Sequence, residues 1–390
     1  MTIATWPPEL GPVICIVGAR PNFMKMAPIL RAFAAHVPAI PTLLVHTGQH
    51  YDKDMNDRLF EDLRLPRPDL NLEVGSGSHA VQTAEVMRRF EPVIDTYRPS
   101  CVLVVGDVNS TLACTLVAVK KGVPVVHVEA GLRSYDRAMP EEINRVLTDQ
   151  VADRLYTTER NAGSNLAREG ITSERICFVG NVMIDSLLHN RELAAMPTAT
   201  VAAGGRDPAL IDGASGYGVI TLHRPSNVDH PETLASLLGV LGEIAQRLPL
   251  VFALHPRTRA NIERFGLSRL LDNPRLILLP PQGYLEMLGL LAGARIVLTD
   301  SGGLQEETTA LGVPCLTIRE NTERPITVEQ GTNTMVGRDT VAIRQQAETI
   351  LAGRGKQGRL PELWDGHAAE RIAADLAAWL LDRHRAAATA

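Results

Sequence analysis

"VLVVGDVNSTLACTLVAVKKGVPVVHVEAG", residues 102–131, returns in outline as "IVLTDSGGLQEETTALGVPCLTIRE", residues 296–320. Each runs apolar strand, Asp, polar turn, helix, Gly-Val-Pro, apolar strand. Uninterrupted Val/Ile/Leu runs mark strands buried on both faces, and a helix between two of them makes the strands parallel neighbours. Two copies of that unit in one chain predict two Rossmann-like halves. The runs around them agree: "VICIVGA" (13–19), "TLLVHTG" (42–48), "YGVITLH" (217–223), "LVFALH" (250–255) and "RLILLP" (275–280) alternate with amphipathic stretches. The predicted fold class is α/β, with two Rossmann-like doubly wound domains facing a central cleft.

The stretch "NRELAAMPTATVAAGGRDPALIDGASGYG" (190–218) is rich in Ala, Gly, Pro and Thr and weakly periodic, which places a domain junction within 186–216. The expected division is 1–190, 191–368, and a C-terminal helix over 369–390 that can pack back on the first domain. Ile372, Leu376, Ala377, Trp379 and Leu380 share one face of that helix or lie near it.

At 390 residues and 45% hydrophobic, the chain can bury two cores. Its net charge of -5 comes from interspersed charges, and no Lys/Arg-rich run offers a track for a nucleic-acid backbone, so no nucleic-acid partner is expected. The opening "MTIATWPPELGP" has no basic n-region or apolar h-region, and no run of about 18 apolar residues follows anywhere. A cytoplasmic protein with no membrane partner is the expectation. Five cysteines without a C-x-x-C pair read as reduced core residues, and no cluster has metal-ligand spacing, so no metal is expected.

Ligands of open parallel sheets bind beyond the carboxyl ends of the strands. There the chain places Gly18-Ala19-Arg20, Gly106-Asp107, His127-Val128-Glu129, His223-Arg224, His255 and Asp300-Ser301-Gly302-Gly303. Ser301-Gly302-Gly303 open a helix whose free N–H groups suit a diphosphate, and Glu307 farther along it suits a ribose; a simple chain reversal is the alternative. Arg20 and Lys25 in "GARPNFMKMAP" offer two cations and Arg324 in "NTERP" another, or are surface charges. Asp107 and Glu129 each end a strand that should be buried, where a carboxylate needs a partner or a task. With Glu141 they look like an acid/base set, although Glu141 and Glu142 after Pro140 also suit a plain helix start. His223 suits hydrogen-bond donation to a leaving phosphate, or a structural role. "GSGSHA" (75–80) matches a dinucleotide fingerprint formally, but the nearest acidic residue at the right distance, Asp95, falls in a helical pattern, so no NAD or FAD is predicted.

In this order, "GARPNFMKMAP", "TGQH", "VGD", "HVEAGLRS", "MPEEINR", "TLHR", "DSGGLQEE" and "ERP" resemble the non-hydrolysing UDP-N-acetylglucosamine 2-epimerases, over residues 13 to 375. The resemblance implies a fold similar to GT-B glycosyltransferases, a homodimer, and no cofactor. It implies reversible conversion of UDP-N-acetylglucosamine to UDP-N-acetylmannosamine by loss of UDP to a 2-acetamidoglucal and its re-addition, for surface-polysaccharide precursors. Carried over by motif, Asp107, Glu129 and Glu141 are the acid/base residues and His223 faces the departing phosphate. Arg20, Lys25 and Ser301-Gly302-Gly303 bind the diphosphate, Gln282 in "PQGY" lies near the uracil, Glu307 on the ribose, and Arg324 near phosphates or sugar. Which carboxylate is base and which acid stays open.

Many bacterial members are activated by a second UDP-N-acetylglucosamine. Tyr51 and Asp52 after "QH", the Arg-free "EVGSGSHAVQT" and the loop "HRPSN" depart from the activator-binding pattern, so that activation is not implied here. The departures fit an unregulated member or an epimerase of a modified sugar such as UDP-2,3-diacetamido-glucuronic acid. A hydrolysing 2-epimerase, a GT-B glycosyltransferase and a nucleotide-sugar sensor are the rivals, distinguished by free sugar, acceptor dependence and binding without turnover.

Overall fold

The computed structural model describes residues 5–48 and 60–389, the last three as backbone only. Gln49, His50, Tyr51 and Asp52, which bear on the activator pattern, lie outside the described residues. The chain forms two compact units, Met1–His189 with Glu362–Ala390, and Asn190–Pro361.

The first unit holds seven parallel strands: β1 (Val13–Val17), β2 (Thr42–His46), β3 (Leu70–Asn71), β4 (Cys101–Val105), β5 (Val125–Val128), β6 (Arg154–Thr157) and β7 (Ile176–Phe178). Its helices are α1 (Arg20–Ala35), α2 (His79–Tyr97), α3 (Asn109–Lys120), α4 (Pro140–Val151), α5 (Arg160–Arg168) and α6 (Val182–Asn190), which runs to the unit boundary. The strand order is β3-β2-β1-β4-β5-β6-β7. Every residue of β1 and β4 is buried, because helices cover both faces of the sheet. On one face Ile14, Ile16, Val102 and Val104 pack with Val86 and Phe90 of α2 and Val117 of α3. Burying a side chain such as Phe90 contributes about 1.5–3 kcal/mol.

The second unit holds α7 (Pro197–Ala203), β8 (Gly218–Thr221), α8 (Pro225–Val228), α9 (Pro231–Ala245), β9 (Leu250–Ala253), α10 (Pro256–Arg264), β10 (Leu276–Leu279), α11 (Tyr284–Ala292), β11 (Ile296–Thr299), α12 (Gly302–Leu311), β12 (Cys315–Thr317), α13 (Pro325–Glu329), β13 (Asn333–Met335) and α14 (Thr340–Leu351). Its order, β10-β9-β8-β11-β12-β13, repeats that of the first six strands of the other sheet. The α/β class with two Rossmann-like parallel sheets is therefore what the chain adopts. The echo between residues 102–131 and 296–320 has a topological reason. Both are the first crossover after the strand order reverses, β4-α3-β5 in one unit and β11-α12-β12 in the other. The reversal points lie between β1 and β4 and between β8 and β11, where strands part and leave a crevice at their carboxyl ends.

The last helix, α15 (Ala368–Thr389), packs against α1 in the first unit. Chain return begins at Glu362, ahead of the 369 boundary read from helical periodicity, because Trp364 is fully buried and donates its indole N–H to the Thr158 carbonyl at 3.1 Å. Ile372, Leu376, Ala377 and Leu380 are buried, whereas Trp379 is only half-buried, with the Arg383 guanidinium 5.0 Å from its ring centroid. Asp185 caps α15 by accepting the Ala368 and Ala369 N–H groups at 3.2 and 2.7 Å. The five cysteines are unpaired and four of them are buried; burial pushes the Cys315 thiol up to about 11. Among the described residues no helix is long and apolar enough to cross a membrane.

Candidate active site

In the first unit the reversal point is tied together by Asn22. Its Oδ1 accepts the Gly18 and Ala19 N–H groups at 3.1 and 3.0 Å, and its Nδ2 donates to the Val105 carbonyl at 3.0 Å. The end of β1 is thereby fixed against the end of β4, with Arg20 as the first residue of α1. Lys25, one turn on, is 4% exposed, and its ammonium lies 2.6 Å from both oxygens of Glu129. The residue read as a phosphate cation is thus engaged by a carboxylate, which neutralises two charges that neither could bury alone. Gly106 makes room for this pair: it has φ +66°, and a Cβ there would stand 2.9 Å from Lys25 Nζ.

Glu129 itself has φ +73°, a conformation in which a non-glycine residue is strained. The turn is held because the N–H groups of Glu129 and Ala130 both donate to the Tyr156 carbonyl, at 3.1 and 3.0 Å. Behind it, buried His127 brings Nδ1 to 2.6 Å from Asp149 and Nε2 to 2.8 Å from the Gly106 carbonyl. Asp149 also accepts the Gly131 N–H at 3.0 Å and pairs with Arg133 at 2.7 Å. Burial alone would raise the Asp149 carboxyl, but His127 and Arg133 outweigh it and hold the pKa below its ordinary value.

Asp107 is gripped by Arg145 of α4, whose Nε and Nη2 both donate to Oδ2, at 3.0 and 2.7 Å. Asn144 donates to the Asp107 carbonyl at 2.8 Å. The neighbouring glutamates at the α4 start part company. Glu141 is partly exposed, and among the described residues its carboxylate has no ion-pair partner. Glu142 is 2% exposed and accepts the Ser134 and Tyr135 N–H groups, each at 2.9 Å, while pairing with Arg145. Its helix-start position therefore serves to pin the preceding loop.

In the second unit His223 follows β8 and Asp300 follows β11, again at the reversal point. His223 Nδ1 donates to Asp300 Oδ1 at 2.8 Å, which leaves Nε2 for a ligand. Asp300 is fully buried and also accepts the His223 and Arg224 N–H groups, each at 2.9 Å. Burial would raise its carboxyl, yet the His223 hydrogen bond and charge and these N–H donors hold the pKa below the ordinary value. The His255 ring centroid is 5.6 Å from that of His223, and its pKa is lowered by burial and then by the His223 charge.

Ser301 is the N-cap residue of α12 and Gly302 its first residue. A Cβ on Gly302 would stand 2.6 Å from Glu323 Oε1 and 3.0 Å from Arg324 Nη1, so a larger residue at this helix start would have to displace those side chains. Arg324, 6% exposed, lies 2.6 Å from Glu323 and 3.0 Å from Glu306, and Glu323 also meets Arg319 at 2.8 Å. The cation read singly from sequence belongs to a buried cluster of two arginines and two glutamates. Glu307, on the same helix, is 4% exposed and its charge helps raise the Tyr284 hydroxyl, after burial. Gln282, in the loop after β10, donates to the Pro280 carbonyl at 2.6 Å.

Asn22, Asn144, Arg145, Glu142, Asp149 and the Asp300–His223 contact are additions that motif reading did not supply. For α4 a signal existed: Glu141, Arg145 and Asp149 recur every four residues and so share a helix face.

Acid should expose the two depressed carboxylates. Asp149 and Asp300 have folded pKa values below the unfolded value of about 3.9, so the stabilisation they carry is present above about pH 4 and is lost as pH falls through their folded values. Asp185, raised by burial, has the opposite sign: its contribution is largest at low pH and declines as pH rises through its folded pKa. Melting temperature followed from pH 7 to pH 2 is expected to fall steeply below pH 4, with a weaker fall in Asp300→Asn; a flat profile would contradict the depressed values.

A family profile described as UDP-N-acetylglucosamine 2-epimerase matches residues 34–377. The UDP-N-acetylglucosamine 2-epimerase of Methanocaldococcus jannaschii is 41% identical over 88% of this chain and 95% of its own length. The UDP-2,3-diacetamido-2,3-dideoxy-D-glucuronate 2-epimerase of Pseudomonas aeruginosa is also 41% identical, over 94% of this chain and 99% of its own. The crystal structure of the M. jannaschii enzyme in complex with UDP-GlcNAc and UDP superposes with a TM-score of 0.84 at 40% identity, covering 93% of this chain and 99% of that one.

Proposed function

The chain belongs to the UDP-N-acetylglucosamine 2-epimerase family, and on that premise we propose that it inverts C2 of UDP-N-acetylglucosamine reversibly, giving UDP-N-acetylmannosamine. The observation that carries this reading is the first unit's reversal point, where Asp107 and Glu129 each meet a buried cation, Arg145 and Lys25, and Glu141 lies in the first turn of the adjoining helix.

The C2 hydrogen has no neighbouring carbonyl to acidify it, so its removal needs a leaving group. A carboxylate takes the C2 proton, the C1–O bond breaks, and UDP departs with the electron pair, leaving a 2-acetamidoglucal. UDP then adds back to C1 while a second carboxyl group delivers a proton to the opposite face of C2. Asp107, Glu129 and Glu141 share these two duties. His223, oriented by Asp300, donates a hydrogen bond to the departing phosphate. Arg20 and the Ser301-Gly302-Gly303 helix start hold the diphosphate while Lys25 stays paired with Glu129, Arg324 adds charge beside that helix start, Glu307 takes the ribose and Gln282 the uracil. No step calls for a metal or cofactor. We place the enzyme in the cytoplasm as a homodimer supplying a surface-polysaccharide precursor.

A second substrate reading is UDP-2,3-diacetamido-glucuronic acid, favoured by a relative of equal identity whose length is almost fully covered. Incubating the protein with each sugar separately and resolving the products by chromatography decides between them. Interconversion of the N-acetylglucosamine and N-acetylmannosamine nucleotides is expected. Turnover of only the diacetamido uronate would move the assignment to the second sugar, and free N-acetylmannosamine would make it a hydrolysing enzyme.

A further inference from the structure

We propose that Arg145 is a positioning residue for Asp107, aiming its carboxylate and tying it through Glu142 to the backbone of residues 134–135. This deepens the epimerase reading and rests on Asp107 as a proton-transfer group. Arg145 sits on the face of α4 that starts with Glu141, its side chain 4% exposed against 22% for Asp107. Two N–H groups converge on one oxygen, Nε at 3.0 Å and Nη2 at 2.7 Å, and locate that oxygen more narrowly than a single point charge would. The remaining arm, Nη1, pairs with Glu142.

Glu142 in turn holds the Ser134 N–H and hydroxyl and the Tyr135 N–H, each at 2.9 Å. Tyr135 has φ +59°, so this stretch needs such an anchor. The residue preceding Arg145 completes the hold: Asn144 donates to the Asp107 carbonyl, so α4 fixes both main chain and side chain of that residue. Glu142 thus links the loop between Glu129 and Glu141 to the carboxylate of Asp107 through one guanidinium.

Among the described residues Arg145 contacts the Asp107 carboxylate and Glu142 shares that guanidinium, while Lys25 on α1 and Glu129 after β5 flank the preceding Gly106. His79 on α2 approaches through Asn109, which bonds Asn144. Whereas Lys25 is paired with Glu129, Arg145 meets the Asp107 carboxylate directly and favours its ionised form. Its loss should make that carboxylate easier to protonate as well as worse aimed.

The test compares wild type, Arg145→Gln and Arg145→Lys in two ways. Carboxyl-carbon NMR titration with labelled aspartate follows Asp107 without needing turnover; Arg145→Gln is expected to raise its midpoint by about one unit or more. Arg145→Lys, which keeps the charge, should restore most of that shift. In turnover, both variants should lose kcat, by about 10²-fold for Arg145→Gln, with KM little changed, and one limb of the pH profile should follow the NMR shift. Arg145→Lys should recover the limb but not the full kcat, because it lacks the fork. An unmoved Asp107 midpoint in Arg145→Gln overturns the proposal, as does a wild-type kcat in both variants. Inactive wild type with either sugar nucleotide would sink the epimerase reading instead, and the titration would still report on Arg145.

Discussion

Glu129→Gln is expected to lower kcat by about 10²–10⁴-fold, the range for losing a positioned proton-transfer group, while UDP still binds. The amide keeps the shape of the side chain at φ +73° but neither accepts a proton nor balances the Lys25 ammonium 2.6 Å away. Part of the loss therefore comes from a buried cation left without its counter-charge, and the melting temperature should fall with the activity. Asp107→Asn and Glu141→Gln should also lose most turnover with UDP binding kept, and Glu141→Gln should do so with the smallest change in melting temperature, since no ion pair among the described residues depends on it. UDP affinity by calorimetry and initial rates on the same preparations check all three. Wild-type rates in all of them would remove the carboxylates from the mechanism.

Arg324→Met should cost about 3–5 kcal/mol of stability, the usual penalty for leaving buried partner charges uncompensated. Glu306 and Glu323 face Arg324 at 3.0 and 2.6 Å with side chains 2% and 3% exposed, and Arg319 pairs with Glu323 at 2.8 Å. Because Arg324 also lies against Gly302, the helix start should loosen and UDP affinity should fall. Denaturation monitored by circular dichroism measures the first effect and calorimetry the second. A melting temperature equal to wild type would show that the cluster does not hold this region.

The fold was legible because the strands are short, apolar and parallel, and because each Asp-turn-helix sequence follows a strand at the point where the sheet order reverses. Strand-end residues such as Asp107, Glu129, His223 and Asp300 could be placed for the same reason. Pairings were not legible. Lys25 and Arg324 read as cations awaiting phosphate, yet burial to 4% and 6% exposure requires carboxylate partners distant in sequence or on neighbouring elements, Glu129 for one and Glu306 and Glu323 for the other. Neither did the run "HVEAG" announce a left-handed backbone at Glu129, since local preference reserves that region for glycine and asparagine. Arg145 lay within the motif "MPEEINR" but nothing local singled it out; only the fold brings it to Asp107.

Proton exchange at C2 tests the central claim most directly. NMR of the wild-type protein with UDP-N-acetylglucosamine in D2O follows configuration and isotope at that carbon together with free UDP. Elimination and re-addition through enzyme carboxyl groups predicts a UDP-N-acetylmannosamine product carrying deuterium at C2, with little free sugar. A product that retains the original C2 protium would contradict the account.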